Sequence, residues 1–458
     1  MAKIFIEEST LSAIGNSIRA KTGKTDMIPP LNMPTEIASI QTGGSSTVTT
    51  GDVNFYDYDG TLVASYSLSE AQSLTALPDG PTHEGLTFQG WNWSLEAIKS
   101  MNRAVNVGAI YTTNDGKTRI YITLGEGRTS PLLGCCPNGT VIVDWGDGTT
   151  PDTLTGTSTS TIQYTPTHNY TSPGNYVISL TVNGTCGFLG SSTTNDYCYL
   201  LKYSTTKDAR NRYYQNTITK IEFGDGVTSI GNGAFQYCFS LTSLIIPDGV
   251  TNIEKYAFNN CHSLTSLIIP DGVTNIEQYV FQNCYSLTSL TIPDGVTNIV
   301  QYAFSNCYSL TSLIIPNSVT SIGSNAFQGC YSLTSLIIPN SVTSIGNYIL
   351  QNCYSLTSLT IPDGVTSIAQ YAFYTCYSLT SLIIPDSVTS IRASAFGNCY
   401  GIAEYHLKSA TPPTLSSSNA FNGIPSDCVI YVPQGSLNAY KTATNWATYA
   451  SHMQEETI

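Results

Sequence analysis

From residue 238 onward a cysteine returns at a fixed step of 23: Cys238, Cys261, Cys284, Cys307, Cys330, Cys353, Cys376 and Cys399. Pro247, Pro270, Pro293, Pro316, Pro339, Pro362 and Pro385 keep the same step. A strict period of this size predicts a solenoid of stacked coils. A single coil has too little interior to fold alone, so each must cover its neighbour's open face. The coil that opens at Cys330 predicts its own path. Leu333, Leu336 and Ile338 point inward along a short strand, and Pro339 ends that strand because it cannot donate to a ladder. Asn340-Ser341, Asp-Gly in other coils, makes a turn. Val342 and Ile345 point inward on a second strand, and Ala326-Phe327 of the preceding copy packs the third side. At about 4.8 Å per stacked strand, nine coils would extend roughly 40 Å.

The unit C-Y-S-L-T-S-L-I-I-P-x-x-V-T-x-I-x-x-x-A-F-x-x resembles the BspA-like leucine-rich repeat. The resemblance spans residues 217–407, with a degenerate first coil at Ile218, Ile221 and Phe223. Residues 408–458 resemble that family's terminal cap, with PPTLSSSNAF, CVIYVPQGSLNAY and a helix-like end around Trp446.

Upstream the text is modular, and the chain reads as mainly β. Residues 1–44 predict two short helices. Glu8-Ser9-Thr10 can cap the first, with Leu11, Ile14 and Ile18 on one face and Gly23 as its stop. Pro34 suits the first turn of the second, with Ile37 and Ile40 on one face. Two such helices bury little alone and are expected to pack on a neighbour or on another copy of the chain. GGSSTVTTG then reads as a linker. Residues 45–125 alternate apolar and polar and predict a small β module. Within it, Pro81, Glu84, Gly85, Phe88, Gly90 and Trp91 resemble the small repeat of internalin-B-type surface proteins, interrupted by a helix-like run at Ser94–Asn102. In residues 126–216, Trp145-Gly146-Asp147-Gly148, His168, Tyr170, Gly174 and Tyr176 resemble the PKD family, which implies an immunoglobulin-like β-sandwich. Residues 184–215 read as an irregular extension holding Cys186 and Cys198, a candidate pair.

Composition narrows the function classes. Charged residues make up only 11% of the chain, against roughly 25% in ordinary domains. The net charge of −13 argues against a nucleic-acid partner, since phosphate binding needs a basic face. The start MAKIFIEEST has neither a basic nor an apolar signal region, and no run reaches the ~18 apolar residues of a membrane span. Neither a usual export signal nor membrane insertion is expected. The 13 cysteines are an odd number without a compact disulfide spacing, which favours free thiols.

Three groups could carry chemistry. Asp57-Tyr58-Asp59-Gly60-Thr61 resembles the nucleophile motif of haloacid-dehalogenase phosphatases, in which Asp57 would attack phosphorus and Asp59 would serve as acid and base. The competing and preferred reading is a hairpin turn, because mostly β text follows rather than a doubly wound domain. The repeat cysteines could be metal ligands or disulfides. No histidine column accompanies them, and buried packing is the preferred reading. Asp147 and His168 could form an acid–base pair, but the PKD resemblance implies structural roles. No cofactor, no metal and no catalytic activity are expected.

The letters that vary between copies say more. The triplet before Ala-Phe reads GNG, EKY, EQY, VQY, GSN, GNY, AQY and RAS. It places Tyr256, Tyr279, Tyr302, Asn325, Tyr348 and Tyr371 in one column. The outward strand position reads Ile245, Ile268, Thr291, Ile314, Ile337, Thr360 and Ile383. Rigid aromatic area beside adaptable hydroxyls suits a binding face. A further column, Tyr285, Tyr308, Tyr331, Tyr354, Tyr377 and Tyr400, is read as structural stacking. IEESTLSAIGNSIRAKTG with MPTEIASI resembles the start of tail proteins of phages and prophages of Gram-positive gut bacteria. The expectation is a tail-associated receptor-binding or adhesion protein in the virion. Residues 1–44 would meet other tail proteins, and the solenoid would meet a bacterial surface glycan or protein. The alternatives are a BspA-like cell-surface adhesin or a structural spacer.

Overall fold

The structure, a computed structural model, describes residues 52–57, 61–82, 86–91, 95–99, 105–113, 115–126, 129–159, 161–188, 200–202 and 217–456. The two helices expected before residue 44, the linker, and Cys198 lie outside the described residues. The chain divides into two compact units, Met1–Asp115 and Gly116–Ile458.

In the first unit, β1 (Val53–Tyr56) pairs antiparallel with β2 (Leu62–Tyr66) and parallel with β4 (Val105–Thr113). β4 pairs antiparallel with β3 (Leu86–Trp91), giving the order β2-β1-β4-β3. α1 (Leu68–Gln72) begins where Ser67 Oγ accepts from the Glu70 amide and the Glu70 carboxylate accepts from the Ser67 amide. That reciprocal cap stabilises a helix of only five residues. α2 (Leu95–Lys99) falls inside the helix-like run expected there. Val53, Phe55, Ala71, Trp91, Ile98, Val107 and Ala109 form the core. Trp91 meets Phe55 edge-on at 4.9 Å and donates its Nε1–H to Pro78 O at 2.7 Å.

The second unit starts with β5 (Thr118–Leu124), β6 (Leu132–Asp144), β7 (Asp152–Thr157), β8 (Gln163–Tyr164), β9 (Gly174–Phe188) and β10 (Leu201–Lys202). β9 lies antiparallel between β6 and β5. At the crossing pair Gly139 and Gly184 the two backbones approach so closely that a Cβ on either would fall 2.2–2.3 Å from a partner carbonyl oxygen. Both sit at φ of 120° and 115°, a region glycine alone tolerates.

The expected module 45–125 included the strand RIYITLG. In the structure this strand is β5 and belongs to the second unit. It pairs with β9 and, antiparallel, with β11 (Ile218–Glu222), the first strand of the solenoid. The end of β9 pairs parallel with β12 (Val227–Ile230). One hydrophobic core therefore runs from Ile120 to Met453 without interruption.

Each coil of the solenoid has three sides, and neighbouring coils are joined side to side by runs of parallel ladder, the strand-side run breaking between Ser358–Thr360 and Ser381–Ile384. The first side is the strand, as in Ser312–Ile314 against Ser335–Ile337. Pro339 ends it, and Val342 N donates back to Pro339 O at 3.0 Å to close the turn. The second is a two-residue strand, as in Asn298–Ile299 against Ser321–Ile322. On the third, Tyr256, Phe258 and Asn260 donate to the carbonyls of Gln278, Val280 and Gln282 one coil on. Leu333, Leu336, Ile338, Val342 and Ile345 are all buried, as are Ala326 and Phe327. The Phe235, Phe258, Phe281, Phe304 and Phe327 rings stack at 5.5–5.6 Å. At the far end α3 (Leu437–Thr442) and a 3-10 helix (Trp446–His452) bring buried Tyr440, Trp446 and Tyr449 over the last coil beside Phe421. Trp446 donates to Pro413 O at 2.7 Å.

Candidate binding face

The candidate face is built from rows, because a 23-residue step returns each side chain to the same place one coil on. The first row lies on the outward face of the strand side. Ile245, Ile268, Thr291, Ile314, Ile337 and Thr360 are paired in register, and Ile383 continues into His406 and Tyr431. Ile245, Ile268, Thr291 and Ile314 are half-buried, whereas Ile337 and Ile383 are 70% and 56% exposed. Beside this row Thr242, Thr265, Thr288, Thr311, Thr334 and Thr357 each donate a hydroxyl to the carbonyl of the threonine one coil earlier, at 3.0–3.5 Å. Ion pairs close both ends. Glu222 takes Lys220 at 2.5 Å and the Tyr121 hydroxyl at 2.9 Å. His406 lies between Glu404 and Glu456, and Lys408 reaches Glu456 at 2.8 Å. The hydrogen bond from Lys408, with that from His406, outweighs burial and holds the Glu456 carboxyl below the usual carboxylate range.

The triplet row lies on a different segment of each coil, after the second strand. Both the strand row and the triplet row were candidates for the binding face. Among the described residues no hydrogen bond or ring contact joins them. The row's backbone is unusual. Tyr256, Tyr279, Tyr302, Asn325, Tyr348 and Tyr371 all have φ between 55° and 61°. Gly233 and Ser394 hold the same conformation at the row's ends. This left-handed region suits glycine and asparagine and is costly for tyrosine. The tyrosine rings stack at 4.8–5.0 Å, Tyr256 on Tyr279 on Tyr302 and Tyr348 on Tyr371. Asn325 interrupts the stack; it is buried and donates to Gln328 Oε1 at 3.0 Å.

A second left-handed row precedes the cysteines, including Asn260, Asn283 and Asn306. Asn283 donates to Asn260 Oδ1 at 3.0 Å and Asn306 to Asn283 Oδ1 at 2.9 Å, an amide ladder of the kind that ties identical stacked chains. From Cys261 to Cys399 each cysteine thiol then donates to the carbonyl of the residue 26 positions earlier, as Cys330 Sγ to Phe304 O at 3.3 Å. Burial pushes the Cys330 and Cys399 thiols up to about 12. These are buried neutral donors, and among the described residues no group of three or more His, Cys, Asp or Glu is arranged to hold a metal ion. Cys186 is a free, buried thiol beside Cys135, while its candidate partner Cys198 lies outside the described residues.

The post-cysteine column is the most continuous stack. Phe239, His262, Tyr285, Tyr308, Tyr331, Tyr354, Tyr377 and Tyr400 follow one another at 4.3–5.6 Å. Most rings are half-buried, but Tyr377 and Tyr400 stand exposed and widen the accessible aromatic surface. Nothing in the repeated text distinguishes those two tyrosines from Tyr308 or Tyr331, so only their place near the end of the stack reveals them.

The remaining candidates are placed elsewhere. Asp57 is buried at the end of β1, and its amide donates to Thr61 O at 2.8 Å, so the Asp57–Leu62 string joins two antiparallel strands. Asp147 and His168 lie 2.8 Å apart. His168 stacks on Trp145 at 4.5 Å and 7°, and Trp145 donates to Asp152 Oδ2 at 2.8 Å. Burial acts to raise the Asp147 carboxyl, but the hydrogen bonds from Thr149 and His168 prevail and hold it below the usual range. The pair fixes the turn over Trp145.

This geometry defines a parallel β-solenoid of the leucine-rich type. The model of the family described as "BspA type Leucine rich repeat region (6 copies)" matches residues 209–334 and 297–426. The solenoid is a BspA-type leucine-rich repeat region. Among solved structures the chain is similar to the Leucine Rich Repeat protein of T. pallidum, at 31% identity over 35% of this chain and 77% of that one, with a TM-score of 0.33. It is also similar to a leucine rich cell surface protein of Faecalibacterium prausnitzii, at 24% identity over 53% and 78%, with a TM-score of 0.30. A leucine-rich repeat protein of Bacteroides ovatus matches at 24% identity over 54% and 74%, with a TM-score of 0.34. No curated protein matches the chain. Among the described residues no helix is long and apolar enough to cross a membrane.

Proposed function

We propose that the protein is a non-catalytic receptor-binding or adhesion protein whose solenoid meets a glycan or protein on a bacterial surface. The observation that carries this reading is the row of Ile337, Thr360 and Ile383, exposed on the strand side where one ladder ends at Thr360 and the next begins with Ile383, the row being bounded by ion pairs. Exposed apolar side chains at equivalent positions of a rigid repeat favour contact with a partner over contact with water. The tyrosine rows add aromatic area that is already ordered, so little side-chain entropy is lost on binding.

In this proposal residues 1–44 hold the chain to a phage or prophage tail, on the strength of the sequence resemblance at IEESTLSAIGNSIRAKTG. A cell-surface adhesin would use the same rows and differ in what those residues hold. The BspA-type repeat match is compatible with either. The test is binding of the labelled full chain to a panel of intact gut bacteria. Binding lost on Ile337→Lys with Ile383→Lys supports the strand row. Binding unchanged when Tyr256, Tyr279, Tyr302, Tyr348 and Tyr371 all become Ser, in a chain that still folds, removes the triplet row from the face. Mass spectrometry of virion and cell-wall fractions separates the two locations.

A further inference from the structure

The two tyrosine stacks are separated by one coil whose triplet is Gly323-Ser324-Asn325. There the surface opens into a shallow notch of about 310 Å³, lined chiefly by Asn298, Ile299, Gln301, Ser321, Gly323 and Ser324. Gly323 makes the notch possible, because a Cβ at this position would lie 2.4 Å from the Gln301 amide nitrogen. The volume is at the low end of small-molecule sites, about 300–1,000 Å³.

The notch is also where a side-chain ladder stops. Asn298 Nδ2 donates to Asn275 Oδ1 at 3.0 Å and to Thr297 Oγ1 at 3.0 Å, which uses both of its protons. The next rung would be an asparagine at position 321, but Ser321 stands there, in register with Asn298. Among the described residues nothing donates to Asn298 Oδ1, and the side chains of Gln301, Ser321 and Ser324 make no hydrogen bond. At equivalent positions in other coils some side chains are paired, while those of Gln278, Ser344 and Gln370 are not. Asn252 donates to Glu254, Asn347 Oδ1 accepts from the Gln370 amide, and Ser390 donates to Ser367.

We propose that this notch binds a neutral saccharide, a proposal that rests on the reading of the solenoid as a binding surface. An amide oxygen, a side-chain amide and two hydroxyls offer donors and acceptors to sugar hydroxyls. Val300, partly exposed, provides apolar lining for a ring face, while Ile299 beneath it belongs to the core. No charged side chain lines the notch, so neither an anionic nor a cationic group would find a partner there.

The test uses the full chain and a set of neutral hexose and N-acetylhexosamine di- and trisaccharides, read by saturation-transfer NMR. The variant is Ser321→Asn with Ser324→Gln, which places at these positions the residues found one coil earlier at Asn298 and Gln301. It is therefore expected to keep the fold, checked by circular dichroism and Tm. The expected result is saturation transfer from at least one neutral saccharide to the wild type, weakened at least tenfold in the variant. Equal transfer to both proteins, transfer from none of the saccharides, or transfer from anionic saccharides alone would overturn the proposal. Whole-cell binding read in parallel reports on the other reading. If it persists in the variant the strand and tyrosine rows carry it, and if the wild type binds no cell the adhesion reading fails whatever the notch does.

Discussion

The antiparallel strands β5 to β9 and the solenoid share one core yet hold themselves together differently. In the antiparallel region each contact is made once. Trp145 has Asp152 on its indole nitrogen, His168 on its ring face and the Tyr170 hydroxyl on its carbonyl, and none of these recurs. In the solenoid each contact is made to a copy of itself: phenylalanine on phenylalanine, asparagine amide on asparagine amide, thiol on carbonyl. The first arrangement concentrates stability in a few irreplaceable groups. The second spreads it over nearest-neighbour terms, so a defect removes links without removing the pattern.

The largest difference should be seen in thiol chemistry. With thiols raised to about 12 by burial, as at Cys330 and Cys399, the thiolate at pH 8 falls to about one part in 10⁴, against roughly a quarter for an ordinary cysteine. The twelve described cysteines are all buried, and none of them is in a disulfide. Maleimide or Ellman labelling of the native chain should leave these twelve silent, and denaturation should expose them together. Fast native labelling of more than one thiol would contradict the burial of the column.

Next in size are the cores. Trp145→Ala should cost about 3–5 kcal/mol for the lost packing, plus a penalty for leaving the Asp152 carboxylate without its donor. Phe304→Ala should cost about 3–5 kcal/mol through the cavity, since Phe281 and Phe327 lose a stacked neighbour but no polar group is stranded. Denaturant titration of the two variants checks the order. If Phe304→Ala proves the more damaging, the spreading of stability along the solenoid is wrong.

How much of this could be read in advance depends on which kind of contact is involved. The inward positions Leu333, Leu336, Ile338, Val342 and Ile345 were legible because repetition shows which letters cannot change. The packing role of Cys330 was legible by elimination, though its hydrogen bond to Phe304 O was not. The partner of β5 was not legible. Alternation in RIYITLG tells which side chains are inside but not which strand lies alongside, and here a strand 100 residues away closes the sheet. The separation of Ile337 from Tyr348 onto different segments was legible, because the proline and the second-strand isoleucine stand between the two columns in every copy. The left-handed backbone of the tyrosine row was masked by residue type, since tyrosine is a poor marker for that conformation.

A smaller effect should separate His262 from the tyrosines it stacks among. Its ring lies between Phe239 at 4.3 Å and Tyr285 at 4.4 Å, and its Nε2 is buried without a hydrogen-bond partner. Burial lowers its pKa. The folded chain then binds this proton less readily than the unfolded chain, whose histidine titrates near 6.5. The neutral ring's contribution is present in full above that pH and is lost as pH falls through the lower folded-state value. The difference in Tm between wild type and His262→Tyr should therefore be flat above about pH 7 and should move in the variant's favour below about 6. A difference that does not change with pH would show that this histidine is protonated equally in both states.

The finest comparison is within the triplet row. Tyr302 has φ of 60°, and its ring stacks on Tyr279 at 5.0 Å. The backbone would prefer glycine, as at Gly233 in the same row. Five tyrosines in that conformation therefore suggest that the ring contributes enough to offset a strain of about 1–2 kcal/mol per residue. The two terms can be separated with two substitutions. Tyr302→Ala loses the ring and keeps the strain, whereas Tyr302→Gly loses the ring and relieves it. Glycine should be nearly neutral for stability, and alanine should lie about 1 kcal/mol below it. Both should weaken cell binding equally if the ring is the contact. Equal stability for the two variants would mean the left-handed turn carries no strain. The tyrosines would then need no explanation beyond stacking.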